Sequence, residues 1–306
     1  MSFPTTRMPA VRSTRRRITT PRWAVLCVVP ALAAMLVFEY WPLVRTIFMS
    51  MQGTNLFGQP TGFVGFDNYA RMFQSSDFWH TISVTALFTV GSVVATLLVG
   101  LAVAIPLTTR LRGTGLIRAT VMIPMAVSVA AAGLAFRSIY QPETGAADRL
   151  LSFVGIDGVG WLTDPAVAIW SVIIVDAWVG LGFTVLLLLA AFDGVPEDVL
   201  EAASLDGAGL LRRVRHVALP IISPTLFFLI VTETIGAMRE FTAIQVLTQG
   251  GPANATHTLV IDIYQAAFGS GTSDYAAASA RGIVLLLLIV LVTAVQFRFL
   301  DRKVAY

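Results

Sequence analysis

Hydrophobic and polar positions along this chain do not alternate over short distances. Long apolar runs alternate with short polar segments instead. About 20 mainly apolar residues in a row are enough for a helix to cross a membrane. Six runs meet that length: Trp23–Val44, Ile82–Pro106, Ile117–Tyr140, Val167–Ala191, Ile221–Ile244 and Gly282–Phe299. All six are too long and too continuous for ordinary core helices. The pattern predicts an all-α integral membrane protein with six transmembrane helices. Residues 1–22 then form a basic tail, 23–300 the membrane domain and 301–306 a short second tail. The first run follows Arg15, Arg16 and Arg17 and contains "ALA" at 31–33, as a secretory leader would. Its hydrophobicity continues to Phe38, however, so it reads as a retained span.

Charge gives the orientation. Arg7, Arg12, Arg15, Arg16, Arg17 and Arg22 precede the first span. Arg110, Arg112 and Arg118 follow the second, Arg212, Arg213 and Arg215 the fourth, and Arg298, Arg302 and Lys303 close the chain. The other loops are poor in cations, and 248–275 contains none. By the positive-inside rule both termini lie in the cytoplasm. The outer loops "MQGTNLFGQPTGFVGFDNY", "QPETGAADRLLSFVGIDGVGWLTDP" and "TQGGPANATHT" are long and rich in turn formers. They are either docking surfaces or solvated connectors.

Composition removes several chemistries. The 306 residues are 56% hydrophobic and 13% charged, about half the charge of a soluble domain. Lys303 is the only lysine, and no glycine-rich loop precedes it, so ATP cannot be held by a P-loop in this chain. Cys27 is the only cysteine, which forbids an internal disulfide. His80, His216 and His257 are far apart in the sequence and carry no zinc-type spacing. Nothing suggests a catalytic site, a metal, a bound cofactor or nucleic acid.

One segment breaks the membrane pattern. "DGVPEDVLEAASLDGAGLLRRVRHVALP", residues 193–220, is charged and punctuated by glycine between two strongly apolar runs. Pro196, Glu197 and Asp198 suit a helix N-terminus. Gly207 and Gly209 end that helix, and a second short one spans about Leu210 to Leu219. From the residues alone, this is either a docking element or a helix whose arginines meet lipid headgroups.

The spacing Glu201-Ala202-Ala203, then Asp206-Gly207, Val217 and Leu219-Pro220 resembles the coupling loop of ABC-importer permeases. Val217 stands where isoleucine is more usual. "VLTQGGPANATHTLVIDIYQAAF" and "FEYWPLVRTIFMSMQ" resemble the carbohydrate-uptake branch of that family. Within the branch, "FVGFDNYARMF", "DGAGLLRRVRHVALP" and "VQFRFLDRKVAY" are similar to permeases of sn-glycerol-3-phosphate importers. The resemblance implies a type I importer permease fold with a cytoplasmic coupling helix. It implies pairing with a second, homologous permease, two ATPase subunits that hold ATP and Mg2+, and an extracytoplasmic binding protein. The implied cargo is sn-glycerol 3-phosphate or a glycerophosphodiester; the alternative is a sugar. Glu201, Ala202, Ala203, Asp206, Gly207, Leu219 and Pro220 would couple the chain to the ATPase, with the small residues setting the fit.

Ionisable groups inside spans are costly and are candidates for function. They are Glu39, Asp176, Glu233, Arg239 and Glu240, with Trp178 beside Asp176. Glu233 and Glu240 are seven apart and share a helix face, with Gly236 between them. Asp176, Trp178, Glu233, Arg239 and Glu240 are the translocation-path candidates. The structural alternative is pairing between helices or snorkelling from a span end. An intramembrane enzyme would need paired catalytic groups at one depth, and Asp176 is the only aspartate well inside a span. A passive channel would need no ATPase.

Overall fold

A computed structural model describes residues 22–55, 58–108, 114–156, 158–269 and 273–300, with side chains from residue 28 to 299. The basic residues of the first tail up to Arg17, and Arg110, Arg112, Arg302 and Lys303, lie outside the described residues.

The chain divides into two units, residues 1–46 and 47–306. In the first, α1 (Arg22–Met35) passes through a π-helical turn at Leu36–Tyr40 into α2 (Trp41–Ser50). Val28–Ser50 is a continuous apolar helix long enough to cross a membrane, six residues longer at its end than the sequence reading. Glu39 is exposed on it.

The second unit begins at Ile47, within the last turn of α2, and continues with a two-stranded antiparallel ribbon, β1 (Gln52–Thr54) and β2 (Pro60–Phe63). Helix α3 (Asp67–Gln74) leads into α4 (Ser76–Leu107). Then follow α5 (Thr114–Ala126), α6 (Val129–Ile139), α7 (Ala146–Ser152) and α8 (Pro165–Asp193). The charged segment forms α9 (Glu197–Leu205), α10 (Leu210–Arg213), a π-helical turn at Val214–Ala218 and α11 (Leu219–Ile221). The chain ends with α12 (Ser223–Met238), α13 (Thr242–Leu247), α14 (Leu259–Phe268) and α15 (Tyr275–Leu300).

Long helices α4 and α8 form the centre. Their approach is set by small residues, as in membrane helix pairs generally. A Cβ on Gly91 would sit 2.6 Å from Ile173 Cδ1, and one on Gly100 would sit 2.7 Å from Thr184 Cγ2. Around them one apolar core gathers Phe88, Val172 and Val175 with Ala243, Ile244 and Ile261. A second joins Leu107, Leu188, Leu189 and Phe192 to Val214, Ala218 and Leu229.

Two of the six expected spans are not single helices. Among the described residues four helices are long and apolar enough to cross, or six if each bent pair counts as one span. The expected third span bends by 103° between α5 and α6. Pro124 lacks the N–H that would bond to Thr120, and Ser128, in an extended conformation, caps α6 by accepting the Ala131 N–H at 3.2 Å. The expected fifth span begins after a 74° bend at Ile222. Pro224 has no N–H for the Pro220 carbonyl, so the helix restarts there. This span also stops at Met238 rather than Ile244. Finally, 248–275 is not merely a loop: it holds α14, a short apolar helix.

Candidate functional site

The charged segment is built as a bracket and a projecting helix. Pro196 is the N-cap of α9, with Glu197 and Asp198 in its first turn. Asp206 is the C-cap, and Gly207 follows in the left-handed region at φ +78°. The Gly207 N–H donates to the Ser204 carbonyl at 3.0 Å, and the Ala208 N–H to the Ala203 carbonyl at 3.0 Å. These two bonds are the Schellman pattern, which satisfies carbonyls at a helix end and needs a left-handed residue at the Gly207 position. The expected helix break is therefore a defined cap. A Cβ built on Gly207 meets nothing within 4 Å, so its surroundings are open.

The inner side of the segment is anchored. Val195, Val214 and Ala218 are buried against Leu107 of α4 and Leu188, Leu189 and Phe192 of α8, with Leu200 and Leu219 packed alongside. The outer side is exposed at Glu201, Ala202, Asp206, Gly207 and Pro220, while Ala203 is half-buried. The second helical piece runs to Ile221, two residues beyond its expected end. The three arginines do not share one environment. Arg212 and Arg215 are exposed. Arg213 lines a polar cavity of about 690 Å³ together with Arg118, Asp193 and Glu197. Arg118 donates to the Leu107 carbonyl at 2.9 Å, which ties the start of α5 to the end of α4.

Along the bundle, the structure brings three path candidates together. Glu240 and Glu233 both lie near enough to Asp176 for their charges to act on it, and Asp176 stands beside Ser92. Glu233 accepts a hydrogen bond from the Thr184 hydroxyl at 3.0 Å. Gly180 keeps the space beside Glu233 open: a Cβ there would be 3.4 Å from Oε2 and 3.3 Å from Thr96 Cγ2. Glu240 also has a structural role. Its carboxylate accepts the Ala243 N–H at 2.6 Å and so caps α13 beyond the break. Trp178 packs edge-on against Phe136, ring centroids 5.3 Å apart. Arg239 ends α12 and is exposed.

Sequence reading missed a row of hydroxyls on α4, of which Ser92 stands beside Asp176 and Thr96 lies near Glu233 across Gly180. Thr81, Thr85, Thr89, Ser92 and Thr96 are all buried on α4. Their spacing of 4, 4, 3 and 4 is the signal that would have found them: one helix face. Such hydroxyls serve helix packing in membranes and offer polar partners where water is absent. Another region was missed as well. His80 and His257, distant in sequence, line one polar cavity of about 550 Å³ with Asp77, Asp262, Gln265 and Arg281. The His257 ring lies 3.3 Å from the Thr81 hydroxyl and 3.1 Å from Gln265 Oε1, and Arg281 pairs with Asp262 at 2.6 Å. The loop reaching this cavity is held by Thr256, whose hydroxyl donates to the Gly251 carbonyl.

The described residues thus form a bundle of bent and straight apolar helices with a capped helix, exposed on its outer side, at the ends of α4 and α8. Comparison with solved structures agrees on the fold. The chain aligns with a chain of a bacterial ABC transporter involved in import of the acidic polysaccharide alginate, with a TM-score of 0.78 and 23% identity over 92% of this chain and 96% of that one. A second structure, the bacterial alginate ABC transporter in complex with alginate pentasaccharide-bound periplasmic protein, gives 0.80 at 22% identity over 92% and 94%.

Residues 96–306 match the family described as binding-protein-dependent transport system inner membrane component, and the chain belongs to that family. It is 34% identical over 273 residues to the trehalose/maltose transport system permease protein MalF of Thermococcus litoralis, covering 89% of this chain and 92% of the relative. It is 33% identical over 302 residues to the sn-glycerol-3-phosphate transport system permease protein UgpA of Escherichia coli, covering 96% and 99%. The protein is thus a multi-pass inner-membrane permease component of the ABC-importer type, and the two relatives are permeases of trehalose/maltose and sn-glycerol-3-phosphate transport systems.

Proposed function

We propose that this chain forms half of a translocation pathway, beside a second, homologous permease. Two ATPase subunits, which hold ATP and Mg2+, sit on the cytoplasmic face, and an extracytoplasmic binding protein delivers cargo to the other. Both termini are cytoplasmic. Helix α9 and the Gly207 cap are the coupling element: ATPase closure moves α9, and the spans alternate between inward-open and outward-open. The observation that carries this reading is the rigid bracket. A projecting helix with a fixed cap is bolted by Val195, Val214 and Ala218 onto the ends of α4 and α8. Force on α9 therefore reaches the two central helices without a flexible joint.

The cargo is a polyhydroxylated small molecule. Resemblance in three stretches supports sn-glycerol 3-phosphate or a glycerophosphodiester. A second reading, a sugar, is favoured by the cluster of Asp176, Glu233 and Glu240. Carboxylates accept hydrogen bonds from cargo hydroxyls but repel a free phosphomonoester. The test is uptake of labelled glycerol 3-phosphate, glycerophosphocholine and maltose by cells with and without this chain. Loss of maltose uptake alone removes the phosphate reading; loss of glycerol 3-phosphate uptake alone removes the sugar reading. Glu233→Gln should lower uptake of the true cargo while the complex still assembles. Unchanged uptake takes Glu233 out of the path.

A further inference from the structure

The polar cavity of about 690 Å³ beside the charged segment has no part in the bracket. Its charged lining comes from four elements: Arg118 at the start of α5, Asp193 at the end of α8, Glu197 at the start of α9 and Arg213 on α10. The Nε–H groups of Arg118 and Arg213 are buried and have no hydrogen-bond partner. Buried donors are nearly always paired, so two orphans on the walls of one cavity call for an acceptor. A guanidinium fork matches the oxygens of a phosphate better than those of most other acceptors.

The same two helices also carry bare hydrocarbon. Leu116 on α5 and Leu211 on α10 are 77% and 75% exposed, and Ile117 and Leu210 beside them are exposed as well. Both helices belong to bent pairs that are together long and apolar enough to cross a membrane. The cavity is level with the ends of the central spans, since α4 ends at Leu107 and α8 at Asp193. That is the depth of lipid headgroups, and basic pockets between spans are where headgroups bind. Cations in the cavity and exposed leucines next to it fit an amphiphile, with its head inside and its chains along α5 and α10. The lining then selects the head. A plain anion would meet Asp193 and Glu197 as well as the two arginines, whereas a head with its own ammonium finds a partner for each charge.

We propose that this cavity seats the headgroup of an aminophospholipid of the phosphatidylethanolamine type. Its phosphodiester lies on Arg118 and Arg213 and its ammonium toward Asp193. The lipid is a wedge between the third span and the charged segment. This requires neither the coupling role nor the cargo proposed above.

The test uses the full chain with whatever subunits purify with it, stripped of lipid by prolonged washing in detergent. The melting temperature is read with added phosphatidylethanolamine, phosphatidylglycerol or inorganic phosphate. In the parent, saturating phosphatidylethanolamine should raise it by about 4 °C or more, phosphatidylglycerol by less than about half of that, and phosphate not at all. Arg213 is the residue to change, because Arg118 also ties α5 to the Leu107 carbonyl. Arg213→Gln should raise the phosphatidylethanolamine concentration needed by about tenfold, and Arg213→Lys should recover part of the loss. Arg212→Gln, next to it and exposed, should respond like the parent. Asp193→Asn should remove the preference for phosphatidylethanolamine over phosphatidylglycerol. If Arg213→Gln does not fold, the lysine and asparagine variants carry the test. A parent that answers phosphatidylglycerol as strongly as phosphatidylethanolamine overturns the proposal, since the ammonium would then have no partner. A full shift with inorganic phosphate overturns it in favour of a free anion. Equal losses in Arg212→Gln and Arg213→Gln overturn it in favour of diffuse surface charge. A folded parent that answers neither lipid overturns it outright.

Discussion

Replacing Gly207 separates two reasons for its presence, backbone shape and room for a partner. At φ +78° an L-residue with a Cβ is strained by about 1–2 kcal/mol, whereas Asn visits this region more readily than other residues. Nothing in the chain itself would obstruct a side chain there, so local sterics add no further cost. For Gly207→Ala the whole penalty is conformational, about 1 kcal/mol, set against two cap bonds at 3.0 Å that are each worth roughly 1 kcal/mol. The cap should survive but open about five times more often, since 1.4 kcal/mol is a tenfold change in an equilibrium constant. Gly207→Val, β-branched and poor at positive φ, should unwind it. If shape matters, coupling efficiency will rank Gly, then Asn, then Ala, then Val. If room for the ATPase matters instead, Ala will outrank the larger Asn. The assay is transport per ATP hydrolysed in proteoliposomes holding the whole complex. Full coupling in the valine variant of an assembled complex would refute both the cap argument and the assignment of α9 as the coupling element.

Two other predictions rest on packing and charge. Gly133→Ala places a Cβ 2.9 Å from Val246 Cγ1, where α6 meets α13, and should destabilise by about 1–3 kcal/mol; Val246→Ala in the same chain should recover most of the lost melting temperature. Breaking the Asp262–Arg281 pair by Asp262→Ala should cost about 1–2 kcal/mol, between the values for exposed and buried pairs, because the side chains are 18% and 26% exposed. The swap Asp262→Arg with Arg281→Asp should restore part of it, and full stability in the single variant would show that the pair does not hold α14 to α15.

What the sequence showed and hid follows from the physics of each feature. Span positions were legible because bilayer thickness imposes a length on apolar runs, and α4, α8 and α15 each contain the run expected of them. The breaks within the third and fifth spans were hidden. Pro124 and Pro224 are visible, but proline in a membrane helix is as compatible with a kink as with a break, and Ser128 becomes a cap only once the chain turns there. The segment around Gly207 was legible because its residue types have local causes: proline and acids at the start, glycine at the end. Asp176 and Glu233 were found by charge alone. Thr184 and the hydroxyl face of α4 were not, since a hydroxyl costs little in a span and gains meaning only from the partner that folding brings to it, Glu233 for Thr184 and His257 for Thr81. Arg213 looked like its neighbours until folding turned it into a cavity.

The breaks acquire a purpose from what surrounds them. Helices α4 and α8 touch through glycines and hydroxyls along their length, and such close contact leaves little freedom to slide. A displacement of α9 passed through Val195, Val214 and Ala218 would therefore move α4 and α8 together as one body. The bundle must deform elsewhere, and its irregular joints are at Val127–Ser128, at Ile222 and at Arg239–Phe241. Two of these lead into α6 and α13, which pack on each other at Gly133 and Val246. The third joint lies directly after the coupling segment. Glu240 is the residue that stands in both systems: it caps α13 at one joint and belongs to the carboxylate cluster with Asp176 on α8. A rigid pair moving against a jointed pair would change the spacing of that cluster. On the coupling and path roles proposed for them, work done at α9 would in this way reach the cluster of Asp176, Glu233 and Glu240.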